Sequence, residues 1–424
     1  MSNLDWFEYL KTYGSKPGLQ TVRQLLKQLD DPQTSFQSIH VTGTNGKGST
    51  TAMAASILQA AGYKTGMFTS PHLSDITESI QINGEPIPIN NMDTILGLIK
   101  EETKPLPSQG FRQPTHFEAL VALAYTYFSL KKIDIAVIEV GMGGRDDATN
   151  VLNSIASIIT NISLEHTQWL GETLEEITEN KAGILKKCTE LITAVTQPNI
   201  ITLLQKIATQ KQSKLTQIDT DIQITPETIS LERQTFTVKT PTQTLRHLSI
   251  HLLGPHQQRN AACAIAAVEA AQRRDFQITP EAIHRGLATV TWSGRFEVME
   301  KDPLIILDGA KDAQAVKALV ETVKECLLNR RIYTIFGVSS DKDHHSMIKS
   351  LAEVTDQFIL TEHRVQNRTA KATDLETIAE KTGKPVKSIT PVKKAIRDTK
   401  QDAKPEDVIL VTGSVFLVGE AREY

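Results

Sequence analysis

At 424 residues with 40% hydrophobic side chains, the chain exceeds what a single hydrophobic core serves and has the apolar content for two packed domains. A net charge of −3 gives no general attraction for nucleic acid or an anionic membrane, so neither is an expected partner and any anionic ligand has to be held by local charge. Cys188, Cys263 and Cys326 lie far apart with no C-x-x-C spacing, the usage of reduced thiols in a cytoplasmic protein. Asp5 and Glu8 interrupt the N-terminus, and no uninterrupted apolar stretch approaches the ~20 residues a bilayer crossing takes, so neither signal peptide nor anchor is expected.

The first informative element is the apolar run 39–42, read as a strand, which feeds directly into Gly43-Thr44-Asn45-Gly46-Lys47-Gly48-Ser49-Thr50-Thr51 and then an alanine-rich helical run over 53–61 closed by Gly62. This order of strand, glycine loop, lysine, hydroxyls and helix is a phosphate cradle. Glycines let backbone N–H groups approach anionic oxygens, and the helix presents its positive N-terminal end. Lys47 adds a point charge, and Ser49 can offer its hydroxyl to Mg²⁺. A glycine separates Lys47 from Ser49, so the spacing differs from the general G-x-x-x-x-G-K-[ST] pattern. ATP is the ligand this loop predicts.

Further strands are expected over 64–69, 134–140, 155–160 and 191–195, alternating with helical segments, which predicts a mostly parallel sheet with helices on both faces. Glu139 falls at the C-terminal end of one of these strands and is followed by Gly141-Met142-Gly143-Gly144, the place where open parallel sheets bind ligands. From 218 to 253 short β-branched runs separated by polar turns predict a small antiparallel insert. Helical periodicity returns over 257–274, and a second α/β series follows with strands over 304–308, 332–336, 357–361 and 408–412. Gly294 and Pro303 punctuate a polar segment between the two series, so the domains are expected as 1–296, a central nucleotide-binding domain, and 297–424, a smaller Rossmann-like domain. The adjacent His344-His345 pair is expected in a surface loop, because neighbouring side chains point apart and do not make a metal site.

Several further motifs occur in a fixed order: Thr69-Ser70-Pro71-His72-Leu73, Glu139-Val140-Gly141-Met142-Gly143-Gly144-Arg145-Asp146-Asp147-Ala148-Thr149-Asn150, Lys181-Ala182-Gly183-Ile184, His256-Gln257-Gln258-Arg259-Asn260-Ala261-Ala262, Gly294-Arg295-Phe296-Glu297, Asp341-Lys342-Asp343 and Val411-Thr412-Gly413-Ser414-Val415-Phe416-Leu417. Together with the glycine loop this series resembles the Mur ligase superfamily, in the form of folylpolyglutamate synthase and dihydrofolate synthase, along nearly the whole chain. The resemblance implies ATP-driven amide formation through an acyl phosphate, with L-glutamate, ATP and a folate or dihydropteroate as partners, Mg²⁺ as metal, and a monomeric cytoplasmic enzyme. It implies Ser49, Ser70, Glu139 and His166 as metal ligands. Lys47, His166, Lys181 and Arg295 are implied in catalysis, Lys181 as the lysine that family members carry as a carbamate. Gly43, Thr44, Asn45, Gly46, Lys47, Gly48 and Ser49, with Asn260 on the adenine side, Arg295 at phosphate and Asp308, are implied in nucleotide binding. An acyl phosphate has to be kept from water, so closure of two domains is expected, with the loop from Ser70 to Gly84 beside both ATP and the acid.

The chain departs from the family at informative places. Asp308-Gly309-Ala310-Lys311-Asp312-Ala313 carries a lysine where D-G-A-H-N-P members have a histidine, which exchanges an imidazole for a fixed cation near the incoming amine. Ser79 follows Glu78 where arginine is usual, and Glu165, Asn180 and Ser293 replace the usual Asp, Glu and Pro. The nucleotide machinery is retained while substrate-facing positions differ. Two alternatives therefore stand beside the leading reading: a paralogous ligase joining an amino acid to a different carboxylic acid, and an inactive nucleotide-binding regulatory protein.

Overall fold

The computed structural model describes residues 2–327, 329–365 and 368–424. Eight strands make the first sheet: β1 (Gln37–Thr42), β2 (Thr65–Phe68), β3 (Ile80–Ile82), β4 (Glu85–Pro86), β5 (Ile135–Glu139), β6 (Ala156–Ile159), β7 (Glu190–Thr193) and β8 (Lys214–Gln217). Their order is β4-β3-β2-β5-β1-β6-β7-β8. From β2 to β8 every neighbouring pair is parallel, and an antiparallel edge of β3 and β4 is added on β2. The central strands β2, β5 and β6 are buried along their whole length, which is why they read as continuous apolar runs instead of alternating ones.

The connectivity decides where a ligand goes. From β1 the chain crosses over β5 to reach β2, and from β5 it crosses over β1 to reach β6. The two connections leave in opposite directions, so the carboxyl ends of β1 and β5 form a topological switch point, the crevice in which open α/β sheets bind ligands. On one side the helix His116–Leu130 is buried almost all round and packs Tyr125 and Phe128 with Phe7, Leu10, Val22 and Leu25 from the N-terminal helices. Its start is set by a capping box in which Thr115 and Glu118 exchange side-chain-to-backbone bonds, satisfying donors that a helix end leaves open.

A three-stranded sheet follows, β9 (Gln223–Ile229), β10 (Gln234–Lys239) and β11 (Thr244–Ile250), in the order β11-β10-β9. The strands are joined through 230–233 and 240–243, where Ser230 N donates to Arg233 O at 2.8 Å and Thr240 N to Gln243 O at 2.9 Å, connections short enough only for antiparallel neighbours. The third sheet contains β12 (Glu297–Lys301), β13 (Leu304–Asp308), β14 (Ile332–Phe336), β15 (Gln357–Leu360), β16 (Val386–Ser388) and β17 (Val408–Thr412), ordered β12-β13-β17-β14-β15-β16. Only β12 runs antiparallel to its neighbour. Its core joins Ile306, Leu319, Phe336, Phe358 and Leu410.

The chain divides into two units. The first runs to Thr225 and adds Thr237–Leu248 and Gln258–Val290; the second takes Pro226–Phe236, Ser249–Gln257 and Thr291–Tyr424. The second unit therefore starts before the expected border at 296/297. Within it, Phe296 N donates to Asp308 Oδ2 at 2.9 Å and Gly309 N to Gly294 O at 2.9 Å, which stitches 294–296 to the end of β13. His344 and His345 do not lie in a loop as expected; they open the helix His344–Leu351, capped by Asp343, whose side chain accepts from Ser346 N. Among the described residues no helix is long and apolar enough to cross a membrane.

Candidate active site

In the first unit β1 ends at Thr42, and the loop from Gly43 leads into the helix Lys47–Ala60. Gly46 is the helix N-cap with φ 79°, a left-handed conformation that costs little only without a Cβ. A Cβ there would also sit 2.5 Å from Asn260 Oδ1, so the side chain of Asn260 lies directly on the loop. The loop is braced by the segment that follows β6. Thr44 N donates to Asn161 O at 3.1 Å, Asn45 N to Asn161 Oδ1 at 2.9 Å, and Thr160 Oγ1 to Asn45 O at 2.6 Å. Ser163 N donates to Thr44 Oγ1 at 3.1 Å. Lys47 Nζ donates to the carbonyls of Gly43 and Thr44 at 3.1 and 3.2 Å, so its ammonium is held against the loop. The backbone from Asn45 to Gly48 is partly exposed while Ser49 is buried beneath it.

Glu139 is the last residue of β5, pairs in register with Val41 of β1, and is buried. Ser70, just beyond β2, donates its backbone N–H to Glu139 Oε2 at 3.2 Å. The structure thus brings Ser70 and Glu139 into contact at the switch point that carries the glycine loop. Thr42 Oγ1 donates to Gly143 O at 2.5 Å, tying the glycine stretch after Glu139 to the same strand. The loop beyond Ser70 is held by Glu78, whose Oε2 accepts from Leu73 N and Ser74 N at 2.9 and 3.1 Å. Ser79 beside it is fully buried, and its hydroxyl has no hydrogen-bond partner among the described residues.

His166 opens the short helix Thr167–Leu170 with φ 49°, and its Nε2 lies 3.3 Å from Glu165 Oε1. Ser163, three residues before His166 in the chain, contacts Thr44 of the loop. Lys181 ends the helix Leu174–Lys181 and is only 2% exposed, which contrasts with the solvated charge that a helix-terminal lysine ordinarily presents.

Among the described residues no group of three or more His, Cys, Asp or Glu side chains is arranged to hold a metal. A site of one buried carboxylate with neighbouring hydroxyls still fits Mg²⁺, which completes its shell with substrate phosphate oxygens and water and does not need an all-protein cage.

Arg295 and Asp308 belong to the second unit. Asp308 ends β13 and is buried; Oδ2 accepts from Phe296 N at 2.9 Å and Oδ1 from Ala310 N at 2.8 Å. Burial raises its pKa, opposed by the charge of Arg295 and by the two backbone donors. Arg295 Nη1 donates to Gly294 O at 2.9 Å. Lys311 precedes Asp312, the N-cap of the helix Ala313–Cys326, whose Oδ1 accepts from Ala315 N at 2.9 Å. His256 is partly buried and near enough to Arg295 to feel its charge; desolvation first and that charge second push its pKa down to about 4. A neutral imidazole beside the guanidinium is the result. The only signal for it was its place in the His256-to-Asn260 motif.

Residues 41–268 match the family model of the Mur ligase middle domain, and 294–415 match that of the Mur ligase, glutamate ligase domain. The chain is 34% identical over 421 residues to the dihydrofolate synthase/folylpolyglutamate synthase of Bacillus subtilis, covering 99% of this chain and 97% of that protein. Among solved structures it resembles Mycobacterium tuberculosis folylpolyglutamate synthase complexed with ADP, with a TM-score of 0.91 at 29% identity over 99% of this chain and 98% of that one. It also resembles Escherichia coli FolC in complex with DHPP and ADP, with a TM-score of 0.89 at 30% identity over 100% and 97% of the two chains. The chain belongs to the folylpolyglutamate synthase/dihydrofolate synthase family of the Mur ligase superfamily.

Proposed function

We propose that this chain is an ATP-dependent ligase that joins L-glutamate to the carboxylate of a folate-type acid, a dihydropteroate or a folate. One observation carries the reading: the phosphate loop and the buried carboxylate of Glu139 stand side by side at the carboxyl ends of β1 and β5. That placement suits phosphoryl transfer, which depends on positioning and charge neutralisation more than on covalent help.

In the first step a carboxylate oxygen of the acid attacks the γ-phosphorus of ATP, and ADP leaves with the bridging oxygen and its electron pair. In the second the amine of glutamate attacks the acyl carbon, loses a proton, and phosphate departs carrying the former carboxylate oxygen. Backbone N–H groups from Gly43 to Ser49 and the ammonium of Lys47 hold the phosphates. Ser49, Ser70, Glu139 and His166 are assigned to Mg²⁺, which when bound neutralises phosphate charge and orients the transferred group. Lys181 is assigned as carbamate-bearing on its match to the lysine that family members carry as a carbamate, which exchanges an ammonium for an anionic group. Asn260 is assigned to the adenine side, Arg295 to phosphate through its planar fork, and Asp308 to the nucleotide. We assign a monomeric, cytoplasmic enzyme with reduced thiols.

The test is ADP release by purified protein. It should require ATP, Mg²⁺, a pteroate or folate, and glutamate together. A second reading, a ligase for a different acid or amine, is favoured by Lys311 and by the buried Ser79 hydroxyl in place of a cation. Turnover on another acid in a panel of acids and amines, with none on pteroates or folates, would establish it.

A further inference from the structure

The Asp147-Ala148-Thr149-Asn150 stretch closes a sequence motif without any chemistry attached to it, and its side chains join elements far apart in sequence. Asn150 is buried and uses every polar atom. Its Nδ2 donates to Arg145 O at 3.0 Å and to Gly183 O at 3.2 Å; Lys186 Nζ donates to its Oδ1 at 2.8 Å and to its carbonyl at 3.2 Å; and its own N–H donates to Asp147 O at 2.8 Å. Arg145 lies on the loop behind Glu139, and Gly183 lies on the turn that begins at Lys181. The same two segments meet again where Arg145 N donates to Asn180 O at 2.8 Å and where a Cβ on Gly183 would come within 2.6 Å of Arg145 Cα.

Thr149 makes the second link. Its Oγ1 donates to Asp147 Oδ1 at 2.5 Å and lies 2.9 Å from Nε2 of His40, in the middle of β1. With the hydroxyl proton given to Asp147, His40 Nε2 is the donor to Thr149. Tyr125 OH donates to the Thr149 carbonyl at 3.0 Å, and Asp147 Oδ2 accepts from Met142 N at 2.9 Å, in the glycine stretch after Glu139. Thr149, His40 and Tyr125 are all fully buried, so each bond lost leaves a desolvated group unsatisfied.

We infer that Thr149 and Asn150 are positioning residues of the ligase: they fix the loop behind Glu139 and the turn carrying Lys181 against the strand that bears the phosphate loop. This rests on the ligase reading above. Neither residue touches the nucleotide loop itself, so their removal should spare nucleotide affinity and damage the chemistry.

The experiment uses Thr149→Val, Thr149→Ser and Asn150→Ser in the full chain. Circular dichroism reports folding, calorimetry reports ADP affinity with and without Mg²⁺, and steady-state kinetics use the acid the parent accepts. Thr149→Val and Asn150→Ser should keep metal-free ADP affinity within about threefold of the parent while kcat falls roughly 10- to 100-fold, the scale of a 1 Å misplacement. Thr149→Ser, which keeps the hydroxyl, should stay within about threefold in both. Unchanged kcat per folded molecule, or metal-free ADP affinity falling in step with kcat, overturns the inference. Should Thr149→Val not fold, Asn150→Ser decides by the same criteria. If the parent turns over no acid, the ligase reading has failed separately, and the tightening of ADP binding by Mg²⁺ decides: loss of that increment in the variants supports the positioning role, and its retention refutes it.

Discussion

Gly46→Ala puts a number on the claim that the glycine loop is preorganised. Residue 46 sits at φ 79°, and an L side chain held in that left-handed region costs about 1–2 kcal/mol. The added methyl would also stand 2.5 Å from Asn260 Oδ1, so the Asn260 amide has to leave its rotamer well at about 0.5–1.5 kcal/mol. The sum is about 1.5–3.5 kcal/mol. How it is expressed depends on the loop: a rigid loop loses it as folding stability, whereas a loop that relaxes regains the cradle only on binding and loses it as ADP affinity, roughly 10- to 300-fold at 1.4 kcal/mol per decade. Chemical denaturation and calorimetric ADP titration together therefore recover the whole amount. Repeating the substitution in an Asn260→Ala background removes the contact part and leaves the backbone part, about 1–2 kcal/mol. If stability and affinity change by less than about 0.5 kcal/mol in total, the cradle geometry is not what the loop requires.

Three other outcomes are expected. Glu139→Gln keeps the shape of the side chain but not its charge, and ADP production should fall by about 100- to 1,000-fold, the scale of removing one preorganised electrostatic group, with metal-free ADP binding retained. Lys311→His should change KM for the amine by about tenfold and leave ADP affinity unaltered, since it acts on substrate binding and not on the phosphates. His40 is held near a pKa of about 3, by burial first and by the charge of Lys186 second, against an ordinary 6.5. The unfolded chain therefore takes up this proton first, so its contribution to stability is complete above 6.5 and is lost as pH falls towards 3. Between about pH 7 and about pH 5 the loss is about 2 kcal/mol. Urea titrations of His40→Gln should show a pH dependence flatter by that amount. The raised carboxyl of Asp147 acts in the opposite sense above its ordinary 3.8, and it is common to both proteins, so the difference isolates His40.

The strand, glycine loop and helix at 42–47 and the place of Glu139 at the end of β5 were legible because each is a short local pattern, an apolar run followed at once by glycines and one ionisable side chain, with backbone geometry set within a few residues. Of the six-stranded sheet, β13, β14, β15 and β17 were legible as buried apolar runs, whereas the partly exposed β12 and the three-residue β16 were not. The helix at His344 was not, because its start depends on Asp343 as a cap and two histidines resemble loop polarity. The β3–β4 edge was missed because Ile80–Ile82 and Glu85–Pro86 are too short to show a period. His40 and Thr149 meet across 109 positions and Asn150 meets Lys186 across 36, so only the tertiary fold makes them neighbours. The attachment of 294–296 to β13 was hidden because it is made by the bond from Gly309 N to Gly294 O and by the Asp308 side chain, which composition does not show.

The central claim is that the acid is activated as an acyl phosphate. It is tested most directly by labelling both carboxylate oxygens of the accepted acid with ¹⁸O and analysing the phosphate released with ATP, Mg²⁺ and glutamate. The account predicts one ¹⁸O atom in each phosphate formed. Amide product accompanied by unlabelled phosphate would contradict it.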